Sequence, residues 1–343
     1  MLFLKHFHVQ MVKEGLRSSV EIRVGSIPTS PIILLKQMMM CTRQLNIKSY
    51  TLDTVRGIAK KCDWVLDGKN LLKKKDSPQS IFLDMGAEWN NKGKFAIEVL
   101  YTYLLKNLLD SKFILICAGG DYSFPLGIAD KRYNMFKDVQ KEIAFILQHP
   151  LLKHAYVENL DQKHDKMSPI LLSFLSDDLH IKDVKPIDHS VKSILCYCRQ
   201  RTRLNSDGEK LQFNNRKIVD DLCKNEWKNF VTFEDEEISC DEFNLNLKKS
   251  KFCLCVNGGG IDPCPKLALS ILNGCIPIVC KSGFPLDELL MTYPIIMIDK
   301  WTPEALSAQF LASKYEELKR FYENVPMALD KLTMDFFISP NEF

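Results

Sequence analysis

The chain has 343 residues, 46% of them hydrophobic and 26% charged, and a formal charge of only +3. That length suits two domains of roughly 150 residues each and leaves apolar material for two cores. Balanced acids and bases exclude a dedicated nucleic-acid binder, which carries a marked basic excess, and leave open a local basic pocket for a phosphorylated small molecule.

Residues 1–12 mix apolar side chains with Lys5, His6, His8 and Gln10, so no h-region of a signal peptide is expected there. No apolar run reaches the ~20 residues of a membrane span. The expectation is a soluble, cytoplasmic protein whose cysteines are mostly reduced. Cys196 with Cys198, and Cys253 with Cys255, alternate inside apolar runs. Each pair then shares one strand face as small hydrophobes, and C-x-C on strands is not zinc-type spacing.

In chain order, residues 20–24 alternate as a short strand, Met38, Met39 and Met40 fit a helical core face, and residues 51–61 suit a helix. Lys73, Lys74 and Lys75, with Asp76, Ser77 and Pro78 after them, read as a solvated loop. Residues 80–85 form an apolar strand, 95–109 an amphipathic helix, and 112–118 an almost continuous apolar strand ending in Gly119, Gly120 and Asp121. A helix fits 135–147 and a strand 155–158. Strands apolar on both faces, alternating with helices, predict parallel sheets covered on both sides.

The polar stretch 176–190 reads as a linker between an amino-terminal domain, 1–175, and a carboxyl-terminal domain, 191–343. The pattern then restarts with strands at 193–198, 231–233, 252–256, 276–280 and 294–298, and helices at 214–227, 241–248 and 265–272. Thr302, Pro303 and Glu304 open a long helix with a threonine cap. The fold class expected is α/β, as two Rossmann-like domains.

Ligands of open α/β sheets sit beyond the carboxyl ends of strands, which directs attention to residues 84–90, 119–125, 199–203 and 257–266. The last is the most informative. A buried strand delivers Asn257, then Gly258, Gly259 and Gly260, then Asp262, and a helix begins at Lys266. Glycines let a backbone with bare amides approach a ligand closely, and the helix start and Lys266 add positive charge that suits a diphosphate. A purely structural turn would look the same. Neither G-x-x-x-x-G-K-[ST] nor G-x-G-x-x-G is present, which argues against a P-loop and against a Rossmann dehydrogenase.

Residues 250–254 (S-K-F-C-L), the Gly-rich loop and residues 274–279 (G-C-I-P-I-V) together resemble the carboxyl-terminal signature of the exostosin-like glycosyltransferases, including soluble versions from large DNA viruses and algae. Residues 155–161 (A-Y-V-E-N-L-D), 166–170 (K-M-S-P-I) and 120–125 (G-D-Y-S-F-P) are similar to that family's linking segment and amino-domain loop. The resemblance spans residues 80–298. It implies the two-domain GT-B architecture with a central cleft, a nucleoside-diphosphate sugar as donor and a glycan or glycoprotein as acceptor. It also implies inversion, no cofactor and no obligatory metal. One departure stands out: where relatives carry a ribose-binding glutamate, this chain has Leu269. A catalytically inert nucleotide- or glycan-binding homologue is therefore the alternative.

In that frame Arg199, Arg201 and Arg203 lie where the donor diphosphate is expected, and guanidinium forks suit phosphate oxygens; Arg216 is a weaker candidate of the same type. An inverting transferase needs a base for the acceptor hydroxyl. Asp121 is the first choice, Glu88 its rival and Glu158 a third. A helix cap or loop hydrogen bond is the plain alternative for each. His149, His154 and His164 have no metal-type spacing, and the acidic residues 234–237 read as a solvated turn.

Overall fold

Alternation along the strands decides the first sheet. In a computed structural model, residues 46–51, 55–67, 70–85, 92–128, 136–171, 180–181, 187–201, 211–323, 332 and 334–338 are described. Strand β5 (Phe113–Ala118) is buried at all six positions. Phe113, Leu115 and Cys117 join one core cluster, and Ile114, Ile116 and Ala118 another, on the opposite face. The neighbouring β4 (Ser80–Asp84) divides likewise, Ile81 and Leu83 from Phe82. A strand buried on both sides cannot show polar alternation, which is why these segments read as continuous apolar runs.

The sheet has six strands in the order β3-β2-β4-β5-β6-β7, with β2 at Trp64–Asp67, β3 at Asn70–Lys73, β6 at Leu152–Val157 and β7 at Met167–Pro169. Only β3 is antiparallel to its neighbour. From β2 onward the parallel strands never reverse direction of addition, so right-handed crossovers place their helices on one face. Helices α2 (Lys92–Leu105) and α3 (Gln140–Gln148) do supply Ala96, Ile97, Leu100, Ile143 and Ile146 to the same cluster. The other face is closed by Ile58 of α1 (Val55–Lys61) and by Ile338, which is fully buried there. A further two-stranded ladder joins β1 (Asn46–Thr51) to β8 (His180–Ile181).

The second sheet is wholly parallel, in the order β10-β9-β11-β12-β13. Its strands are β9 (Ile194–Arg199), β10 (Val231–Glu234), β11 (Ser250–Leu254), β12 (Ile276–Cys280) and β13 (Ile296–Ile298). In chain order this is 2-1-3-4-5, a doubly wound arrangement whose switch point lies between β9 and β11. Helices α4 (Leu211–Lys224), α5 (Cys240–Lys249) and α6 (Lys266–Leu272) connect the strands. After α7 (Leu286–Leu290), α8 (Ala308–Leu318) and α9 (Arg320–Glu323), the short α10 (Met334–Phe337) leads back to Ile338 on the first sheet.

Several expectations shift. The helix expected to open at Thr302 begins later: Pro303–Ala305 is a single 3-10 turn and Thr302 makes no side-chain cap. Leu306 is extended and buried, and Trp227 donates to the Pro303 carbonyl at 3.1 Å, so this stretch is held by the core. The true cap of α8 is Ser307, which accepts from the Phe310 amide. The lysines expected in a solvated loop pin the β2–β3 hairpin instead. Lys73 lies over the Trp64 and Tyr103 rings, Lys74 donates to the Cys62 carbonyl, and Lys75 pairs with Asp63 at 2.8 Å. The helix expected at 51–61 starts at Val55, Thr51 being in β1. Cys196, Cys198, Cys253 and Cys255 are buried free thiols, as expected. The strand expected at 20–24 and the methionine run lie outside the described residues. Among the described residues no helix is long and apolar enough to cross a membrane.

Candidate functional site between the sheets

The carboxyl ends of strands from both sheets converge. From the first sheet come the loops after β5 and β6. Gly119, at φ +99°, makes a turn that side chains disfavour, directly before Gly120 and Asp121. The β6 loop carries three buried polar residues, each with a distinct task. Glu158 accepts from the Gly119 amide at 2.8 Å. Asn159, 2% exposed, donates to the Gly120 carbonyl at 2.9 Å. Asp161 accepts from Ser123 Oγ, the Leu126 amide and the Ile128 amide, fixing the turn after Asp121.

From the second sheet comes the loop after β11. Each of its three glycines is bare because another side chain fills the space a Cβ would occupy. At Gly258 a Cβ would lie 2.9 Å from Arg216 Nη2, at Gly259 2.0 Å from Asp121 Oδ2, and at Gly260 2.7 Å from Asn159 Oδ1. The run therefore serves close approach, and two of the three approaching side chains belong to the facing half. Asn159 Oδ1 also accepts from the amides of Ile261 (2.7 Å) and Asp262 (3.1 Å). Asp262 turns back to accept from Cys264, whose φ of +63° is uncommon for a side-chain-bearing residue. Asn257 donates weakly to the Ile261 carbonyl, at 3.4 Å. On the rim Lys163 pairs with Glu288.

The cations are distributed differently from one another. Lys266 donates to the carbonyls of Arg199 (3.2 Å) and Leu254 (3.3 Å), the last residues of β9 and β11. That places its ammonium on the switch point of the second sheet. Arg199 Nε is buried there and, among the described residues, has no hydrogen-bond partner. Arg216 ties Asn257 O (3.1 Å) to Arg201 O (2.9 Å), joining the loops after β11 and β9. Arg201 itself reaches Glu237 at 3.0 Å, a half-exposed pair of little energetic weight. Arg203 and Glu88 lie outside the described residues.

Carboxylates crowd the seam. Burial first, and then Asp121, pushes the Asp262 carboxyl up to about 6, against the Cys264 amide and the Arg216 guanidinium. Burial and then Asp262 raise Glu158 well above the ordinary range; the Gly119 amide opposes this, and Asp121 and Asp84 add to it. Such a cluster can hold and release a proton near neutrality. The arrangement thus brings together Asp121, Asn257, Gly258, Gly259, Gly260, Asp262 and Arg216, with Arg199 and Lys266 at the switch point beside them. Sequence reasoning misses Asn159, and although it flags residues 84–90 it gives Asp84 no role. Asn159 follows a strand end, the signal used for the other loops, but its segment stands out in the sequence only for its family resemblance. The histidines are accounted for locally: His154 bonds Ser168, while His149 and His164 accept from nearby amides. A separate cavity of about 530 Å³, lined by Lys153, Tyr156 and Phe336 among others, holds none of the expected site residues.

Two Rossmann-like sheets, one wholly parallel and one parallel except for β3, whose strand ends face each other, define the α/β, GT-B type of architecture. The chain matches no family model and no curated protein sequence. Among solved structures it is similar to a glycosyltransferase from Rickettsia africae ESF-5, at 12% identity and TM-score 0.38, over 93% of this chain and 82% of that one. It is also similar to the spinosyn forosaminyltransferase SpnP, at 9% identity and TM-score 0.33, over 74% and 71%. An α1,3-fucosyltransferase matches at 13% identity and TM-score 0.28, over 77% and 83%.

Proposed function

We propose that this protein is a soluble, cytoplasmic glycosyltransferase that moves a sugar from a nucleoside-diphosphate donor to a hydroxyl of a glycan or glycoprotein. The observation that carries the reading is the meeting of Asp121, at a strand end of one sheet, with the glycine loop at the switch point of the other. The motif resemblance of residues 80–298 supports the same reading. Arg199, Arg203 and Lys266 neutralise the diphosphate, and amides of the glycine loop assist; Lys266 spends two of its three N–H groups on carbonyls and keeps one for a ligand. Asp121 takes the acceptor proton as the hydroxyl oxygen attacks the anomeric carbon. The carbon–oxygen bond to the diphosphate breaks, and the nucleoside diphosphate leaves with the electron pair. Inversion and metal independence are what the family resemblance implies, and they agree with an in-line scheme in which side-chain cations do the charge stabilisation.

The test is release of UDP or GDP from a panel of nucleotide sugars by purified protein, with and without EDTA. Asp121→Asn keeps shape and removes the proton acceptor, so turnover should fall roughly 10²–10⁴-fold while nucleotide affinity stays within about threefold. Near-normal turnover of the Asp121→Asn variant would transfer the base role to Glu88 or Glu158. A second reading, an inert nucleotide- or glycan-binding homologue, is favoured by Leu269, which packs against the second core and offers a ribose no polar group. Binding of a nucleotide sugar without any release of nucleotide would select it.

A further inference from the structure

Three features of the seam meet at one side chain. The carboxamide of Asn159 offers its oxygen to two consecutive backbone amides, Ile261 at 2.7 Å and Asp262 at 3.1 Å. Its nitrogen donates across to Gly120 at 2.9 Å. Only this orientation of the amide satisfies all three partners, because the oxygen cannot donate and the nitrogen cannot accept. The contact is dry, since Asn159 and Gly260 are both buried and the oxygen lies closer to Gly260 than any β-carbon would allow.

Two successive amides converging on one oxygen form an anion-recognition geometry. We propose that Asn159 is a latch: it fastens the two halves by occupying, with a neutral oxygen, the amides of Ile261 and Asp262 that would otherwise take an anionic ligand. The latch is a property of the seam alone. Its competitor being the donor diphosphate rests on the transferase reading above. Asp121 over Gly259 extends the same closure, so no layer of phosphate fits between Gly259 or Gly260 and the facing half in this register. Ligand entry therefore requires Asn159 to withdraw, and the seam to open, before the loop can bind.

Amide hydrogen exchange and calorimetry on the full chain test this. Asn159→Ala deletes the latch from one side. Gly260→Ala displaces it from the other, through a β-carbon 2.7 Å from the oxygen. In both, exchange at Ile261 and Asp262 should accelerate by roughly tenfold or more, with thermal melting showing that the folds persist. UDP, GDP and inorganic pyrophosphate are then titrated. The latch predicts tighter anion binding by Asn159→Ala than by the parent protein, by about three- to tenfold, because the competing oxygen is gone; Gly260→Ala, whose β-carbon bars any oxygen from the same amides, should gain no affinity. Unchanged exchange in folded variants overturns the latch. Faster exchange in Asn159→Ala with unchanged, weaker or absent binding of all three anions overturns the competition and makes Asn159 a brace. Tighter pyrophosphate binding with no response to UDP or GDP upholds the latch and removes the nucleotide reading.

Discussion

Asp161 accepts three hydrogen bonds while only 6% exposed. Its replacement by alanine takes an acceptor from the buried Ser123 hydroxyl and from the amides of Leu126 and Ile128 at a partly buried turn. Asp161→Ala should therefore cost about 2 kcal/mol in chemical denaturation, the usual cost of removing a hydrogen-bonded carboxylate that fixes a turn. A loss under about 1 kcal/mol would mean that the turn after Asp121 is held by its apolar contacts instead. The glycine run shows where single residues are legible and where they are not. Its sequence announces that the backbone must be approached closely. It does not say by what, and a bare loop awaiting a ligand reads the same as one already filled by Arg216, Asp121 and Asn159. Those partners lie far along the chain, beyond any local pattern.

Helix α8 illustrates competition between start signals. Thr302-Pro303 has the stronger local chemistry, yet burial of Leu306 forces extended backbone between the proline and the helix, and Ser307 then caps it. Ser307→Ala should lower stability by about 1 kcal/mol, the usual worth of a cap, whereas Thr302→Ala should stay within about 0.5 kcal/mol. The reverse ranking in urea melts would restore Thr302 as the functional cap. The buried strands are readable because six or so consecutive apolar residues with helices on either side admit few other folds. The β2–β3 hairpin is not, although Asp67 followed by Gly68 is a turn dipeptide. Its outer strand is short and mostly exposed, and the lysines draw their contacts from Trp64, Cys62 and Asp63 rather than from any periodicity.

For the whole molecule, the seam carries more acid than its cations offset. Asp262 has its carboxyl pushed up to about 6, and Glu158 is raised well above the ordinary range by burial and by Asp262. Between an unfolded value of about 3.9 and that raised value, the folded chain binds the proton more tightly than the unfolded chain. Stability contributed here is present at low pH and falls as pH rises through the window. Asp262→Asn removes the titration, so the variant should gain on the parent protein as pH goes from about 4 to 7. Denaturation midpoints giving a difference that does not change with pH would show that Asp262 ionises freely. The order of strands in each sheet, unlike their existence, is not legible from one sequence. Neither is the return of Ile338 to the first sheet, because pairing is settled by contacts between distant segments.

That return has a consequence for how the chain is made. The face built from Phe82, Ile114 and Ile116 leaves the ribosome well before Ile338, one of its covers, which is translated more than 200 residues later. Until then α1 and Ile170 shield this face of the sheet only in part, and part of its apolar surface waits exposed. The amino-terminal half thus completes this core face only after a segment from beyond the second sheet has been made.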